Sequence, residues 1–178
     1  MKRIVLIALF SLLLQGISFG QQQVMVRDIV SVKLPRNAKK LTVDQLAALD
    51  PKDGRASLIV YERYSGESYK AKDYLVQLNA GDLEANPKYP EQRKIEMDDL
   101  FGLSQPQVYT TFIKRFKEHA AAITRYEDAT EAKGYFMFSS YNNRGDGILV
   151  GTISYKKGSE VAAEEVLNKI LQSIKFKN

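Results

Sequence analysis

Two neighbouring segments near the C-terminus carry apolar side chains on both of their faces, and they constrain the fold more than any other feature. These are residues 134–141 and 147–155, joined by the turn-rich residues 142–146. A connection of this kind predicts a β-hairpin. Strands that are apolar on both faces are usually central in a sheet that is covered on both sides. The alternating side chains of the first segment are Tyr135, Met137 and Tyr141 on one face and Phe136 and Phe138 on the other.

A helix that can cover one face of this sheet follows directly. Ser159 is a favourable N-cap residue, with acidic residues after it and lysines near the predicted end, an order that suits the helix dipole. Apolar residues at helical spacing form one stripe, made of Ala163, Val166, Leu167, Ile170, Leu171 and Ile174. We therefore expect an amphipathic helix packed on the sheet.

The first half of the chain predicts three more strands and a short helix. Residues 24–34 alternate between apolar and polar side chains, which predicts one strand, ended by Pro35. Thr42 and Gln45 have the spacing of a capping box and predict a short helix. Two further strands are predicted over residues 57–64 and 74–80, joined as a hairpin by the residues between them.

The middle of the chain, residues 81–125, predicts a long connection followed by a helix. Residues 81–105 are rich in proline and acidic side chains, and we expect only a short helical turn near residues 91–101. A helix is predicted over residues 104–125 because six apolar side chains follow helical spacing, namely Tyr109, Phe112, Ile113, Phe116, Ala120 and Ile123. The predicted fold class is α+β, an antiparallel sheet of about five strands covered by helices as an α/β/α sandwich.

The first twenty residues have the three zones of a secretory signal peptide. Lys2 and Arg3 precede an apolar run of eleven residues, and small residues at 18 and 20 suit cleavage before Gln21. A membrane-spanning helix needs about 20 apolar residues, so the run is short for a retained anchor. We expect residues 1–20 to be removed and residues 21–178 to form one exported domain, in the periplasm or else outside the cell.

Composition argues against several classes of function. The chain has no cysteine, which excludes disulfides, thiolate zinc sites, cysteine nucleophiles and an acylated cysteine anchor. The formal charge is +5, and removing Lys2 and Arg3 leaves +3. Lysine and arginine are interspersed with acidic residues rather than clustered, so nothing indicates nucleic-acid binding. Once the signal peptide is removed, no stable membrane anchor is expected.

The closing run of two strands, a capped helix and the residues Gln172, Ser173, Ile174, Lys175 and Phe176 resembles the PsbP-like fold family. Residues 32–35, followed by a short helix, are similar to the start of that family. It includes photosystem II extrinsic proteins, a Ran-binding group and bacterial DcrB-like envelope proteins. The resemblance excludes residues 81–105 and implies a sheet sandwiched between helices, with binding or scaffolding roles rather than catalysis. No functional residue is carried over from it.

An enzyme is the first alternative to a binding role. His119, the only histidine, lies beside the apolar stripe of the predicted helix, which favours a packed residue over a general base or metal ligand. A catalytic reading would use the 81–105 loop, with Tyr89, Asp98, Asp99 and Phe101 as candidates, in a hydrolytic or metal-dependent reaction. It requires Asp98, Asp99 and His119 to share one cleft. We predict no catalytic residue, no metal and no cofactor.

The sequence favours a non-enzymatic domain that binds a protein partner or an envelope component through a flat exposed patch. The second alternative is a small-ligand carrier in which Tyr135, Met137 and Tyr155 border an open part of the sheet. That alternative requires an enclosed pocket of about 300 Å³ or more. The oligomeric state and the identity of any partner are not indicated by the sequence.

Overall fold

The computed structural model describes residues 21–49, 66–104, 108–127 and 132–177. Within these residues the chain forms ten strands and three helices, so the predicted α+β class is confirmed and the sheet is larger than predicted. The strands are β1 (Gln21–Val26), β2 (Val30–Pro35), β3 (Lys39–Lys40), β4 (Glu67–Ala71), β5 (Tyr74–Asp82), β6 (Val108–Arg115), β7 (His119–Glu127), β8 (Lys133–Asn142), β9 (Gly147–Lys156) and β10 (Lys175–Phe176). The helices are α1 (Val43–Ala47), α2 (Tyr89–Ser104) and α3 (Glu160–Ser173).

Seven of the described strands form the main sheet, in the order β3-β4-β5-β9-β8-β7-β6. Every neighbouring pair in it is antiparallel. The predicted hairpin of residues 134–141 and 147–155 is confirmed as β8 and β9, and β9 occupies the middle of the order. Its two-sided apolar pattern thus corresponds to its central position.

The main sheet has two faces, which we name after the helices that cover them. The α3 face carries most of the hydrophobic core and packs under α3 and a three-stranded sheet of β1, β2 and β10. The α2 face packs under α2 at β6, β7 and β8. The buried residues of the α3 face include Val76, Leu78, Phe136, Phe138 and Ile153.

Helix α3 confirms the predicted amphipathic helix, because its stripe is buried from Ala163 to Leu171 and Ile174 follows it into the core. Ser159 occupies the N-cap position but its side chain makes no capping hydrogen bond. The Gly158 amide instead donates to the Glu160 carboxylate at 2.9 Å, and this hydrogen bond lowers the pKa of Glu160. The start of the helix is therefore stabilised by an acidic side chain in its first turn.

The single strand predicted over residues 24–34 is wrong, since the segment is the β1–β2 hairpin. Arg27 and Asp28 adopt positive φ angles of 49° and 57° in its turn. The register pairs Val26 with Val30, so even-numbered residues stay on one face on both sides of the turn. Alternation by itself cannot distinguish such a hairpin from one continuous strand.

The helix predicted over residues 104–125 is also wrong, because strands β6 and β7 form a hairpin there. The segment is rich in β-branched and aromatic residues, which favour strands. The Thr111 and Thr124 hydroxyls lie 3.2 Å apart across this hairpin. At the turn, the Phe116 amide donates to the His119 carbonyl at 2.8 Å. The apolar residues of this segment match helical spacing by chance, although the segment forms two strands.

The remaining predictions have mixed outcomes. The capping box of Thr42 and Gln45 is confirmed at the start of α1. Strand 74–80 is confirmed as part of β5, but its hairpin partner is β4, within the segment predicted as the connection. The helical turn predicted near 91–101 is the longer helix α2. The predicted strand 57–64 and the signal peptide 1–20 lie outside the described residues. No helix among the described residues is both long and apolar enough to span a bilayer.

His119 lies at the start of β7 and is 3% exposed on the α3 face. Its Nδ1 atom is 2.8 Å from the Ser140 hydroxyl, and its ring stacks on Phe116 with 4.3 Å between centroids. Burial lowers the pKa of His119, while a hydrogen bond with the backbone of Leu171 and the charge of Glu118 oppose that shift. The neutral imidazole is thus a packed part of the core.

Residues 142–146 form a tightly bonded turn that lies against the segment before α2. The Asn142 carboxamide oxygen accepts hydrogen bonds from the amides of Asp146 and Gly147 at 3.1 and 3.2 Å. Gly145 has a φ of 74°, and a Cβ atom there would overlap the Asn86 carbonyl group. The Leu83 amide donates to the Asp146 carbonyl at 2.7 Å, which ties this turn to the end of β5.

We expect the free energy of unfolding to fall as pH decreases from about 7 to about 5, the range in which histidine titrates. The unfolded chain binds a proton on His119 near pH 6.5, whereas the folded chain binds it only at lower pH, so acid favours unfolding. Urea unfolding followed by circular dichroism across this range measures the slope. In His119→Gln the slope should become smaller and keep only the part due to carboxylates such as Glu160. An unchanged slope would contradict the assignment.

We expect Gly145→Ala to destabilise the fold by about 3 kcal/mol or more, because steric overlap adds to the cost of positive φ. Gly158→Ala is the matched control. Its φ is 92°, but nothing lies within 4 Å of the added Cβ. That variant should lose only about 1–2 kcal/mol. Chemical denaturation of both variants checks the difference, and equal losses would show that the Asn86 contact does not matter.

Candidate functional site

A cavity of about 410 Å³ lies between α2 and the α2 face of the main sheet. Arg93 and Met97 of α2 form one wall, and strands β5, β9, β8 and β7 form the floor. Helix α2 packs on β6, β7 and β8. The cavity lies beside the helix, where β9 and β5 extend beyond it. The cavity volume is within the range of small-molecule sites.

The register of the sheet arranges the floor of the cavity in two cross-strand rows. The first row is Asn79, Val150, Ser139 and Ala122, and the second is Gln77, Thr152, Met137 and Thr124. Each row crosses four hydrogen-bonded strands, so its side chains project from a rigid surface. Polar and apolar side chains are mixed in both rows.

Two carboxamide side chains of the floor have buried atoms that lack a hydrogen-bond partner. They are Gln77 Nε2 and Asn79 Oδ1, and Asn79 as a whole is 7% exposed. Four such atoms occur among the described residues, and the other two, on Arg125 and Tyr155, lie on the α3 face. Leaving a buried polar group unpaired costs about 1–3 kcal/mol, which makes these two positions of the floor exceptional within the fold.

The wall of the cavity is held by aromatic contacts along α2. Tyr89, at the first residue of the helix, stacks on Tyr141 of β8 with 5.5 Å between ring centroids. Phe101, in the last turn, stacks on Tyr109 of β6 at 5.6 Å. Met97 is buried between these contacts. The helix is therefore anchored at both ends and in its middle.

The charges at the cavity are few and paired. Arg93 is the one charged residue among those that line it, and its guanidinium donates to the Glu96 carboxylate at 2.9 Å on the same helix. Tyr141 lies beside this wall, and burial raises its pKa. Arg93 is thus the one charged group of the lining, and part of its hydrogen-bonding capacity is taken up by Glu96.

The three residues predicted to border a carrier pocket do not share one surface. Met137 lines the cavity. Tyr135 projects from the same face one row further along β8, and stacks on Tyr126 with 4.8 Å between ring centroids. Tyr155 is buried on the α3 face, 5.3 Å from Phe136 between ring centroids, and burial raises its pKa.

The residues of the predicted loop site all lie on α2. Tyr89 and Phe101 make the stacking contacts described above, while Asp98 forms an ion pair with Lys94 and Asp99 is exposed. His119 faces the opposite side of the sheet, so Asp98, Asp99 and His119 do not meet in one cleft. Among the described residues, no three acidic, histidine or cysteine side chains are grouped as metal ligands would be.

Sequence reasoning missed Gln77, Asn79 and Arg93. One signal for the first two was available, because β5 alternates Val76, Leu78 and Ala80 with polar residues beside an apolar neighbour strand. Polar positions facing a covered side of a sheet are unusual. Arg93 had no such signal, since its position depends on α2, which was predicted only as a short turn.

Comparisons with known proteins identify the fold but no close relative. No protein-family model and no curated protein sequence matches the chain. The solution structure of cyanobacterial PsbP (CyanoP) from Synechocystis sp. PCC 6803 is similar with a TM-score of 0.51 and 10% identity, covering 91% of this chain and 96% of that one. The Ran-binding protein Mog1p of Saccharomyces cerevisiae gives a TM-score of 0.49 and 8% identity, covering 89% and 96%.

The likeness to CyanoP covers nearly all of both chains, so the fold is PsbP-like and the resemblance seen in the sequence is confirmed at that level. At 10% identity it establishes the fold alone. The function of this chain depends on its own residues.

We expect Asn79→Leu to raise the free energy of unfolding by about 1 kcal/mol, because it removes a buried acceptor that has no partner. Asn142→Leu is the matched control, since the Asn142 side chain makes three hydrogen bonds in its turn. We expect that substitution to lower the free energy of unfolding. Urea denaturation of both variants measures the two signs. A loss of stability in Asn79→Leu would mean that Asn79 serves the fold.

Proposed function

We propose that this protein is a binding domain rather than a catalyst, and that the cavity under α2 is its ligand site. The observation that supports this most is the pair of buried carboxamide groups without partners in a cavity of about 410 Å³. Ligand sites are typically concave and mostly apolar, with a few polar groups that orient the ligand. This cavity has that composition.

The site is suited to binding because its floor and wall are held independently of any ligand. The floor belongs to four hydrogen-bonded strands, and the wall is anchored by the stacks of Tyr89 and Phe101. A preformed site loses little conformational entropy when a ligand binds. The serine–histidine pair of Ser140 and His119 is buried on the α3 face, on the opposite side of the sheet from this cavity.

The proposal keeps the non-enzymatic binding role expected from the sequence. It places binding in a cavity instead of on a flat exposed patch. An exported, single-domain protein of residues 21–178, released into the periplasm or beyond by removal of residues 1–20, would meet soluble molecules and envelope components. The ligand is then either a free small molecule or an exposed group of a protein partner or envelope component. In both cases the cavity is the site of recognition.

Binding is tested by titrating the isotope-labelled mature domain with water-soluble fragments, each containing one ring and one hydrogen-bonding group. We expect backbone amide shifts in the nuclear magnetic resonance spectrum to change along β5, β8 and β9 around Gln77, Met137 and Val150. Val150→Phe places a ring in the cavity and should abolish these changes. The weak affinity of single fragments implies dissociation constants of about 1 mM.

Val161→Phe is the matched control for this experiment. Val161 is 75% exposed on α3 and the same substitution there leaves the cavity unchanged. Fragments should still bind to that variant. If no fragment shifts the floor residues, or if Val150→Phe binds fragments as well as the parent protein does, the cavity is not a ligand site.

A further inference from the structure

We propose that the group recognised in the cavity is a neutral carboxamide, either a peptide bond or a primary amide, bound between Gln77 and Asn79. The inference rests on the proposed binding function and identifies the chemical class of the ligand. It depends on which hydrogen-bonding atoms are left unpartnered, where they lie on β5 and which charges surround them.

The two side chains project in the same direction from one strand. Gln77 and Asn79 are two residues apart on β5, so both lie on the α2 face with their Cα atoms about 6.5–7 Å apart. Gln77 contributes an unpartnered donor, Nε2, and Asn79 contributes an unpartnered acceptor, Oδ1. The two residues that carry this donor and this acceptor both line the cavity.

A carboxamide satisfies both atoms with a single group. Its carbonyl oxygen accepts from Gln77 Nε2 and its N–H donates to Asn79 Oδ1. In a trans peptide these two atoms point to opposite sides of the planar group, which allows it to bridge two separated side chains. A carboxylate has no hydrogen to donate to Asn79 Oδ1, and an ammonium has no acceptor for Gln77 Nε2.

The other lining residues favour a neutral ligand with an apolar body. Arg93 is already paired with Glu96, and no acidic residue lines the cavity. Around the two carboxamides lie Ala122, Met137, Val150 and Met97, which offer apolar contact area. Methionine side chains adapt to irregular shapes and bind aromatic groups well. The combination suits an amide attached to a ring or to a short aliphatic chain.

The inference is tested with three matched probes and the folded mature domain. Benzamide has a ring, a hydrogen-bond acceptor and a hydrogen-bond donor. Acetophenone has the ring and the acceptor but no donor. Benzoate has no donor either, and it is negatively charged. We expect benzamide to bind about tenfold more tightly than either of the others, as measured by chemical-shift titration of the floor residues. N-acetylalanine N-methylamide and benzamide are compared to distinguish a peptide ligand from a non-peptide amide.

Two variants assign the preference to the two side chains. Asn79→Leu and Gln77→Met keep an apolar floor and should each reduce benzamide binding to the level of acetophenone. Gln172→Met, on α3 and away from the cavity, should leave the preference unchanged. Unfolding midpoints confirm that each variant is folded. Either variant alone can show the loss of preference for benzamide, so the test still holds if the other variant misfolds.

The outcomes separate this inference from the proposed function. If benzamide and acetophenone shift the floor residues with equal affinity, the cavity binds ligands but the carboxamide inference is wrong. Tighter binding of benzoate would likewise overturn it, in favour of an anion held by Arg93. If none of the probes and no fragment binds at the floor, the proposed function fails as well, and the inference fails with it.

Discussion

The central strands β8 and β9 are apolar on both faces, so other elements have to pack on both faces of the sheet. These elements cover the two faces to different extents. On the α3 face, α3 and the three-stranded sheet bury a continuous core that reaches from β4 to β7. On the α2 face, α2 reaches β6, β7 and β8. Because β5 and β9 extend the sheet beyond the helix, a concave space remains there. The polar side chains Gln77 and Asn79 occur on this face of β5, whereas the opposite face of the strand is apolar.

This asymmetry connects stability with recognition. The α3 face carries the main hydrophobic core that a chain without disulfides requires, so the α2 face can retain polar groups that lower the free energy of unfolding. Two unpartnered carboxamide atoms cost about 1–3 kcal/mol each, a large part of the net stability of a small domain. A ligand that hydrogen-bonds to both atoms would recover this cost on binding, and the same atoms would discriminate against a ligand that lacks either partner.

The sequence predicted the centre of the fold better than its edges. The β8–β9 hairpin and α3 were predicted correctly because further signals support their apolar patterns. Turn residues join the two strands, and acidic residues and lysines flank the stripe of the helix. The helix expected over residues 104–125 failed because Phe112, Ile113 and Phe116 satisfy both helical spacing and a strand with a turn, and no glycine or proline marks that turn. The cavity could not be predicted, since it depends on how far α2 extends across the sheet, which is a tertiary property. Met137 was the one predicted pocket residue that lines it.

The anchoring of α2 determines how the cavity can work. Tyr89 and Phe101 bind the helix to β8 and β6 at its two ends, and Met97 is buried between them. A helix held at three points has little freedom to tilt, so the distance between Arg93 and the floor is set before a ligand arrives. Closure around the ligand would require these stacks to break, at a cost of about 0.5–1.5 kcal/mol each beyond the loss of buried area. Recognition therefore depends on the fit of the ligand to a preformed cavity, which favours a small rigid group such as an amide over a flexible chain.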